Sequence, residues 1–411
     1  MTTIEPGLTA LLRQHPLETL LSVLDGAGEE TRVVGGAVRN ALLRHPVHEV
    51  DLATTATPDV VSARAEKAGF KAVPTGIEHG TVTVVVEGTP FEVTTLREDV
   101  ETYGRRATVR FGRDFEADAR RRDFTINALS VSRDGQVHDS VGGLADLAHR
   151  RVRFIGDAAA RIREDYLRIL RFFRFHSEYG DGPPDEEGFA AVIRERAGVA
   201  ILSRERVRAE FIKLMATRRA IEMVRVLSDA GFLALFLGGV GDHGRLARAV
   251  ADEHQEEQGP DAIRRLAALA VMTDEDAGRL RERLRLSNDE HDRMAAIARI
   301  VAHLKSIAEP LDAVMIRRLV AKHGTAPLGD ALAMTAGESR PVLSPEALHA
   351  FRRFVSAEEA PPLFPLRGAD VLARGVPKGP QVGEILAKAR VAWLEAGCPP
   401  ELSLDPFLTE P

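Results

Sequence analysis

The sequence predicts an α+β chain, with a small mixed sheet near the N-terminus and an all-helical body behind it. Short β-branched runs bounded by glycine, proline or polar turns are confined to residues 32 to about 138. After about residue 157 apolar residues recur at helical spacing and strand signals vanish. The 411 residues, 44% hydrophobic and 28% charged, supply ample core and suit two to four domains.

Taken in order, "MTTIEPGLTALLRQHPLETLLSVL" reads as an amphipathic helix carrying acids. A signal peptide needs a basic start and an uninterrupted apolar stretch instead. "RVVGG", "EVDLA", "GTVTVVVEG" and "PFEVTTL" read as strands. Between them "PDVVSARAEKAGF" is helical, with Pro58 near its start and Gly69 at its end. Strands interrupted by so few helices predict helices on one face of the sheet. "DAAARIREDYLRILRFFRF", "DEEGFAAVIRERA", "SRERVRAEFIKLMAT" and "RRAIEMVRVLSDAG" follow as helices, with "YGDGPPDEEG" and "DEHQEEQGPDA" as surface connections. An Ala- and Arg-rich helical stretch reaches about residue 355. A Pro-rich break, "EEAPPLFPLRG", then precedes a last helix, "VGEILAKARVAWLEAG". There is no internal repeat.

Bulk properties narrow the function. No apolar run is long enough to span a bilayer. A single cysteine, Cys398, excludes an internal disulfide framework and fits a reducing cytoplasm. The net charge of −6 does not advertise a nucleic-acid binder. Yet residues 149 to 175 hold eight arginines against three acids, and a polyanion reads a patch rather than a whole-chain sum. The thirteen histidines show no zinc spacing; His291 in "SNDEHDR" reads as a surface residue. No Ser-His-Asp or Cys-His constellation is evident.

The chemistry concentrates in "VVGGAVRNALLRHPVHEVDLATT", residues 33 to 55. Residues i and i+2 of a strand share a face, so Glu49 and Asp51 project together while Val50 packs behind. Paired carboxylates suit Mg²⁺, a hard cation that takes one or two of them plus phosphate oxygens and water. Gly35 and Gly36 let the backbone approach a triphosphate at a helix N-terminus, and Arg39 adds charge one turn in. Acidic pairs also line solvated strand faces, and Gly-Gly also marks plain turns. Three further stretches reinforce the first reading. "ARRRDFTINALSV" carries Arg121, Arg122 and Asp123. "DSVGGLADL" pairs an aspartate with a glycine turn. "REDYLRILRFFRF" places Asp165, Arg168, Arg171 and Arg174 on one helix.

In this order, "GGAVRNALL…EVDLATTATP", "FEVTTLR", "RRDFTINAL", "DSVGGLADL", "EDYLRILRFFRF" and "SRERVRAEFIKLM" resemble the class II tRNA nucleotidyltransferases. These are the CCA-adding enzymes and the similar bacterial poly(A) polymerases. The resemblance is dense over residues 30 to 235, and "PLRGADVLARGVPKGPQVGEILAKARVAWLEAG" resembles the C-terminal region of CCA-adding members. It implies a polymerase-β-like nucleotidyltransferase head at 1–148, a helical neck at 149–235 that recognises nucleotide and RNA, and a tRNA-binding body and tail at 236–411. It implies that Gly36 and Arg39 hold the triphosphate, that Glu49 and Asp51 bind metal, and that Arg122 and Asp123 sit at the ribose and phosphates. Asp165, Arg168, Arg171 and Arg174 would read the base and neighbouring phosphates. Steps of three drift around a helix, which favours Asp165 and Arg168 as the reading pair.

Two departures stand out. The family usually shows Asp where this chain has Glu49 and where it has Asn40. Glutamate still ligates Mg²⁺; asparagine keeps the hydrogen-bonding shape but loses a charge that could orient Arg39. Glu92 is either a third carboxylate beside Asp51 or an edge-strand surface acid. The expected activity is addition of C, C and A to tRNA 3′ ends from CTP and ATP, with release of pyrophosphate. Alternatives are a poly(A) polymerase, a partial CC- or A-adding enzyme, and an inactive RNA-binding protein. "REDVETYGRRATVRFG" resembles the flexible loop of complete CCA-adding members and favours full activity.

Overall fold

A computed structural model of the chain describes residues 5–76, 80–103, 106–255 and 259–408. It divides into two compact units, Met1–Leu202 and Ser203–Pro411.

In the first unit the N-terminal stretch forms two helices, α1 (Pro6–Leu12) and α2 (His15–Leu24), rather than one. Pro16 falls in the first turn of α2, where its missing N–H is no loss, and so restarts the helix. Leu17, Leu20, Leu21 and Leu24 are at most 1% exposed, a stripe of spacing 3, 1 and 3 that faces the core. Burying each contributes about 1.5–3 kcal/mol.

The sheet comprises β1 (Thr31–Val34), β2 (Asp51–Thr54), β3 (Lys71–Gly76), β4 (Thr81–Val86), β5 (Thr89–Thr95), β8 (Ser130–Ser132) and β9 (Val137–His138), in the order β3-β4-β5-β2-β1-β8-β9. Only β2 and β5 run parallel; every other pair is antiparallel. In β4 Val82, Val84 and Val86 are buried while the threonines and Val85 between them are half-buried, the period-2 pattern that marked it as a strand. β3, "KAVPTG", is an edge strand with a bulge and an internal proline, so it carries no such pattern. The stretch resembling a flexible loop is a hairpin, β6 (Arg97–Tyr103) against β7 (Arg106–Phe111); residues 104 and 105 lie outside the described residues.

Helices α3 (Gly36–Leu42) and α4 (Pro58–Lys67) follow β1 and β2, and Gly69 ends the α4 turn at φ +82°. After α5 (Phe115–Arg120) and α6 (Gly143–Ala148), the expected long helix splits into α7 (Ala158–Glu164) and α8 (Leu167–Tyr179). Asp165 is the break, extended at φ −155° and ψ 106°, with its carboxylate capping Leu167 N–H at 3.1 Å. No glycine or proline announces it; a capping aspartate inside an amphipathic pattern looks like a helix interior. Phe124 packs on Phe154 and on Phe175 of α8, at 4.9 and 5.2 Å between ring centres, and ties "RRDF" to α8.

The second unit is helical among the described residues, from Arg204–Met215 to Asp405–Leu408, apart from one bridge at Leu311 and Leu343. Glu253, 1% exposed, is matched by Arg264 and Arg265, and Arg293 clasps Asp261 and Asp330. The Pro-rich break separates Pro345–Val355 from a tail cluster on Val371, Ile385 and Leu404. No helix of the described residues is long and apolar enough to cross a membrane.

Candidate functional site

The diglycine forms where β1 runs into α3. Gly35 adopts φ +70°, a conformation that favours glycine, and a Cβ there would lie 2.7 Å from Arg122 Nη1 and push that guanidinium aside. Arg122 thus lies against the turn. Asp118, 7% exposed, orients it by accepting from Nε at 3.2 Å and Nη2 at 3.1 Å, and also pairs with Arg121. Burial pushes the Asp118 carboxyl up, but Arg122 and Arg121 outweigh it and hold it below the usual range.

The acids approach the same turn. β2 begins at Asp51, so Glu49 lies in the segment before the strand rather than within it; both side chains are exposed. β5 is an interior strand paired parallel to β2 with Glu92 opposite Asp51, which removes the edge-strand reading of Glu92. Although Asp51 stays open to solvent, partial desolvation by the surrounding protein, then Glu92 and Glu49, push its carboxyl up, and Arg122 opposes them. Three carboxylates and one guanidinium therefore share one field. Among the described residues no three His, Cys, Asp or Glu side chains form a complete metal-holding group. A pair completed by phosphate oxygens is the arrangement Mg²⁺ commonly takes.

Other expected site residues are hydrogen-bonded to groups of the protein itself. Arg39 is 6% exposed and directs its donors at Asn40 Oδ1 (3.1 and 3.0 Å), Asn127 Oδ1 and Tyr179 Oη (2.7 Å). Its Nη2 lies 3.5 Å from where a Cβ on Gly36 would sit, so the guanidinium stays beside the turn while its hydrogen bonds go to protein acceptors. Asp123, 8% exposed, accepts from Phe124 N–H, Asn127 Nδ2 and Arg171 Nε, at 2.9, 3.0 and 2.7 Å. Burial raises its pKa, but Arg171 and Asn127 outweigh that and hold it low. Arg168 donates to Glu164 Oε2 and to Arg161 O, each at 2.6 Å. Asp165 and Arg168 are adjacent across the helix break rather than stacked on one helix. Arg174 lies 4.2 Å over the Phe175 ring, with Arg171 at 5.1 Å and Arg39 at 5.3 Å from the same centre.

Sequence reasoning missed Asn127, Tyr179 and Asp118. Asn127 left one signal, a lone amide inside the apolar run "FTINALSV"; Tyr179 left none. "DSVGGLADL" is structural here. Asp139 accepts four backbone N–H groups, from Val141 to Leu144, at 2.9–3.1 Å. Asp146, fully buried, accepts from Thr125 and pairs with Arg151 and Arg153. A Cβ on Gly143 would collide with Thr125 O, so the two motifs fit only through that glycine.

Comparison with known proteins finds two matching family models. Residues 31–153 match the poly A polymerase head domain, and residues 184–240 match the probable RNA and SrmB-binding site of polymerase A. The mouse mitochondrial CCA tRNA nucleotidyltransferase 1 is 32% identical over 384 residues, 93% of this chain and 86% of that protein. The chain belongs to the CCA tRNA nucleotidyltransferase family. The CCA-adding enzyme of Leuconostoc citreum is 39% identical over 227 residues, covering 54% of this chain and 55% of that protein. The Bacillus stearothermophilus CCA-adding enzyme, solved in complex with CTP, superposes with a TM-score of 0.69 at 26% identity, covering 96% of this chain and 94% of the other. As a CCA tRNA nucleotidyltransferase family member this chain is an enzyme of the nucleotidyltransferase class, which implies a divalent metal. The exposed Asp51, crowded by Glu92 and Glu49, offers the all-oxygen donors such an ion takes.

Proposed function

We propose that this protein adds C, C and A to the 3′ end of tRNA, using CTP and ATP. One observation carries the reading to residues: Arg122 lies against the Gly35–Gly36 turn while sharing a field with Asp51, Glu92 and Glu49. A triphosphate at that turn would meet backbone N–H groups and the Arg122 guanidinium. Asp51 with Glu49 would hold a divalent cation, taken here to be Mg²⁺, with phosphate oxygens completing its shell and Glu92 adding negative charge nearby. When bound, it supplies positive charge where negative charge develops on the phosphates. The tRNA 3′-oxygen bonds to the α-phosphorus, the bond to the β-phosphate oxygen breaks, and pyrophosphate and a proton leave.

Asp123 orients Arg171 from within, and Asp165 and Arg168, with Glu164 beside them, read the base. The division into head (1–148), neck (149–235) and body with tail (236–411) belongs to the same proposal. So does a cytoplasmic setting, which rests on the free Cys398; the vertebrate relatives are named mitochondrial.

Incubation with labelled CTP, ATP and tRNA lacking its 3′ end tests the reading. Ordered C, C and A addition is expected. A long run of A, or addition of CC or A alone, would replace it with the corresponding activity. RNA binding without transfer would leave an inactive RNA-binding protein.

A further inference from the structure

Arg39 is a nearly buried cation whose direct partners, among the described residues, are two amide oxygens and a phenol. Its guanidinium also stacks 3.9 Å from the centre of the Tyr179 ring. The nearest compensation runs through an amide. Asn127 accepts from Arg39 with Oδ1 and donates with Nδ2 to Asp123 at 3.0 Å. Asp123 in turn holds Arg171 of α8 at 2.6–2.7 Å. The circuit closes at the other end of α8, where Tyr179 Oη accepts from Arg39 at 2.7 Å and donates to Asn40 at 3.2 Å.

Arg171 and Tyr179 are eight residues apart on α8, about 12 Å along the axis. The helix behind the diglycine turn is therefore fixed to α8 at two well-separated points through a single guanidinium. α3 is already seated by the buried Ala37, Val38 and Ala41, so what the two attachments set is how its Arg39 side lies against α8. Asn40 adds a third tie, donating Nδ2 to Pro46 O at 3.0 Å and so fastening the segment that leads to Glu49 and Asp51. Arg39 and Asn40 of α3, the latter tied to Pro46, thus meet α8 at the Tyr179 hydroxyl.

We propose that Tyr179 is a positioning residue for nucleotide binding: by locking Arg39 between Asn40 and Asn127, its hydroxyl fixes the diglycine turn relative to the arginines of α8. The nucleotide's phosphates and base would then be received by one rigid frame. This rests on the nucleotidyl-transfer reading above.

The test is Tyr179→Phe, which keeps the ring over Arg39 and deletes only the hydroxyl. Loss of one hydrogen-bonded attachment should raise both Kd and KM for CTP and ATP roughly fivefold to tenfold, with kcat within about twofold. Asn40→Asp, added to Tyr179→Phe, places a carboxylate at the oxygen already accepting from Nε and Nη2 of Arg39 and should restore both constants. Nucleotide affinity is measured by calorimetry beside turnover. A chain that binds CTP without transferring it defeats the transfer reading, while the Kd values still test the lock. Unchanged Kd for Tyr179→Phe overturns the proposal. So does a raised Kd that Asn40→Asp fails to restore, with a lowered melting temperature, since the hydroxyl would then serve stability alone.

Discussion

Removing the charge at Asp123 isolates the join between the Arg-Arg-Asp motif and α8. Asp123→Asn preserves size, but Oδ2 accepts from both Nε and Nη2 of Arg171 and Oδ1 from Phe124 N–H and Asn127 Nδ2, so the amide presents a donor to a donor whichever way it sits. Breaking a buried ion pair costs about 3–5 kcal/mol. Here the Arg171 side chain is 30% exposed, so water takes up part of the orphaned charge and about 2–3 kcal/mol remains. In a unit of 202 residues each kcal/mol moves the midpoint by about 2–4 °C, so Tm should fall by roughly 4–12 °C at pH 7. The pH dependence gives the sign. Burial raises the Asp123 pKa, but Arg171 and Asn127 hold it below the unfolded value. Its contribution is therefore full above the unfolded carboxylate pKa, about 3.9, and is lost as pH falls through the folded one. Thermal unfolding followed by circular dichroism from pH 7 to pH 3 should show the two melting curves converging in acid. A gap below about 0.5 kcal/mol at pH 7, or one that stays constant to pH 3, would refute the role given to this pair.

Asp51→Ala should abolish transfer in radiolabel assays while far-UV circular dichroism stays unchanged, and Glu49→Asp should keep substantial activity; near-normal turnover of Asp51→Ala would defeat the metal assignment. Because the Asp51 pKa is raised, its ionised form disfavours the fold, so Asp51→Asn should melt higher than wild type at neutral pH. For the same reason Glu92→Gln should shift the acid limb of the activity profile to lower pH, as a rate-against-pH series would register. Filter binding of tRNA should weaken as salt rises, each phosphate contact contributing roughly −0.7 to −0.9 to the logarithmic slope. Six arginines between residues 150 and 174 are already ion-paired to acids, so a slope that counts every arginine is not expected. Asp165→Ala and Arg168→Ala should lower CTP and ATP use and narrow the margin over UTP and GTP. Cytosine and adenine both offer an amino donor beside a ring-nitrogen acceptor, and each wrongly paired buried group costs about 1–3 kcal/mol. Equal slowing of all four nucleotides would remove the pair from base choice.

By itself the sequence determined the class of fold and the succession of motifs. Those signals are local: "TVTVVV" alternates because one face of a strand is buried, and a diglycine between a strand and a helix has few uses. The family resemblance was legible for the same reason, since each motif is a contiguous run. Tertiary structure decided what each polar residue faces. Glu92 became a neighbour of Asp51 only because β5 pairs parallel with β2, a choice the 40 residues separating them in sequence do not encode locally. Arg39 and Asp123 carry the same side chains as exposed ligands would, and only burial shows their hydrogen bonds turned inward. The break at Asp165 was hidden because a capping carboxylate and a helix-interior carboxylate look alike until the backbone angle is known. Tyr179 lies 140 residues from Arg39, and no periodicity links them. Helix and strand patterns report which face of one element meets water; which side chain from a distant element completes a polar group's hydrogen bonds is fixed only when the elements pack.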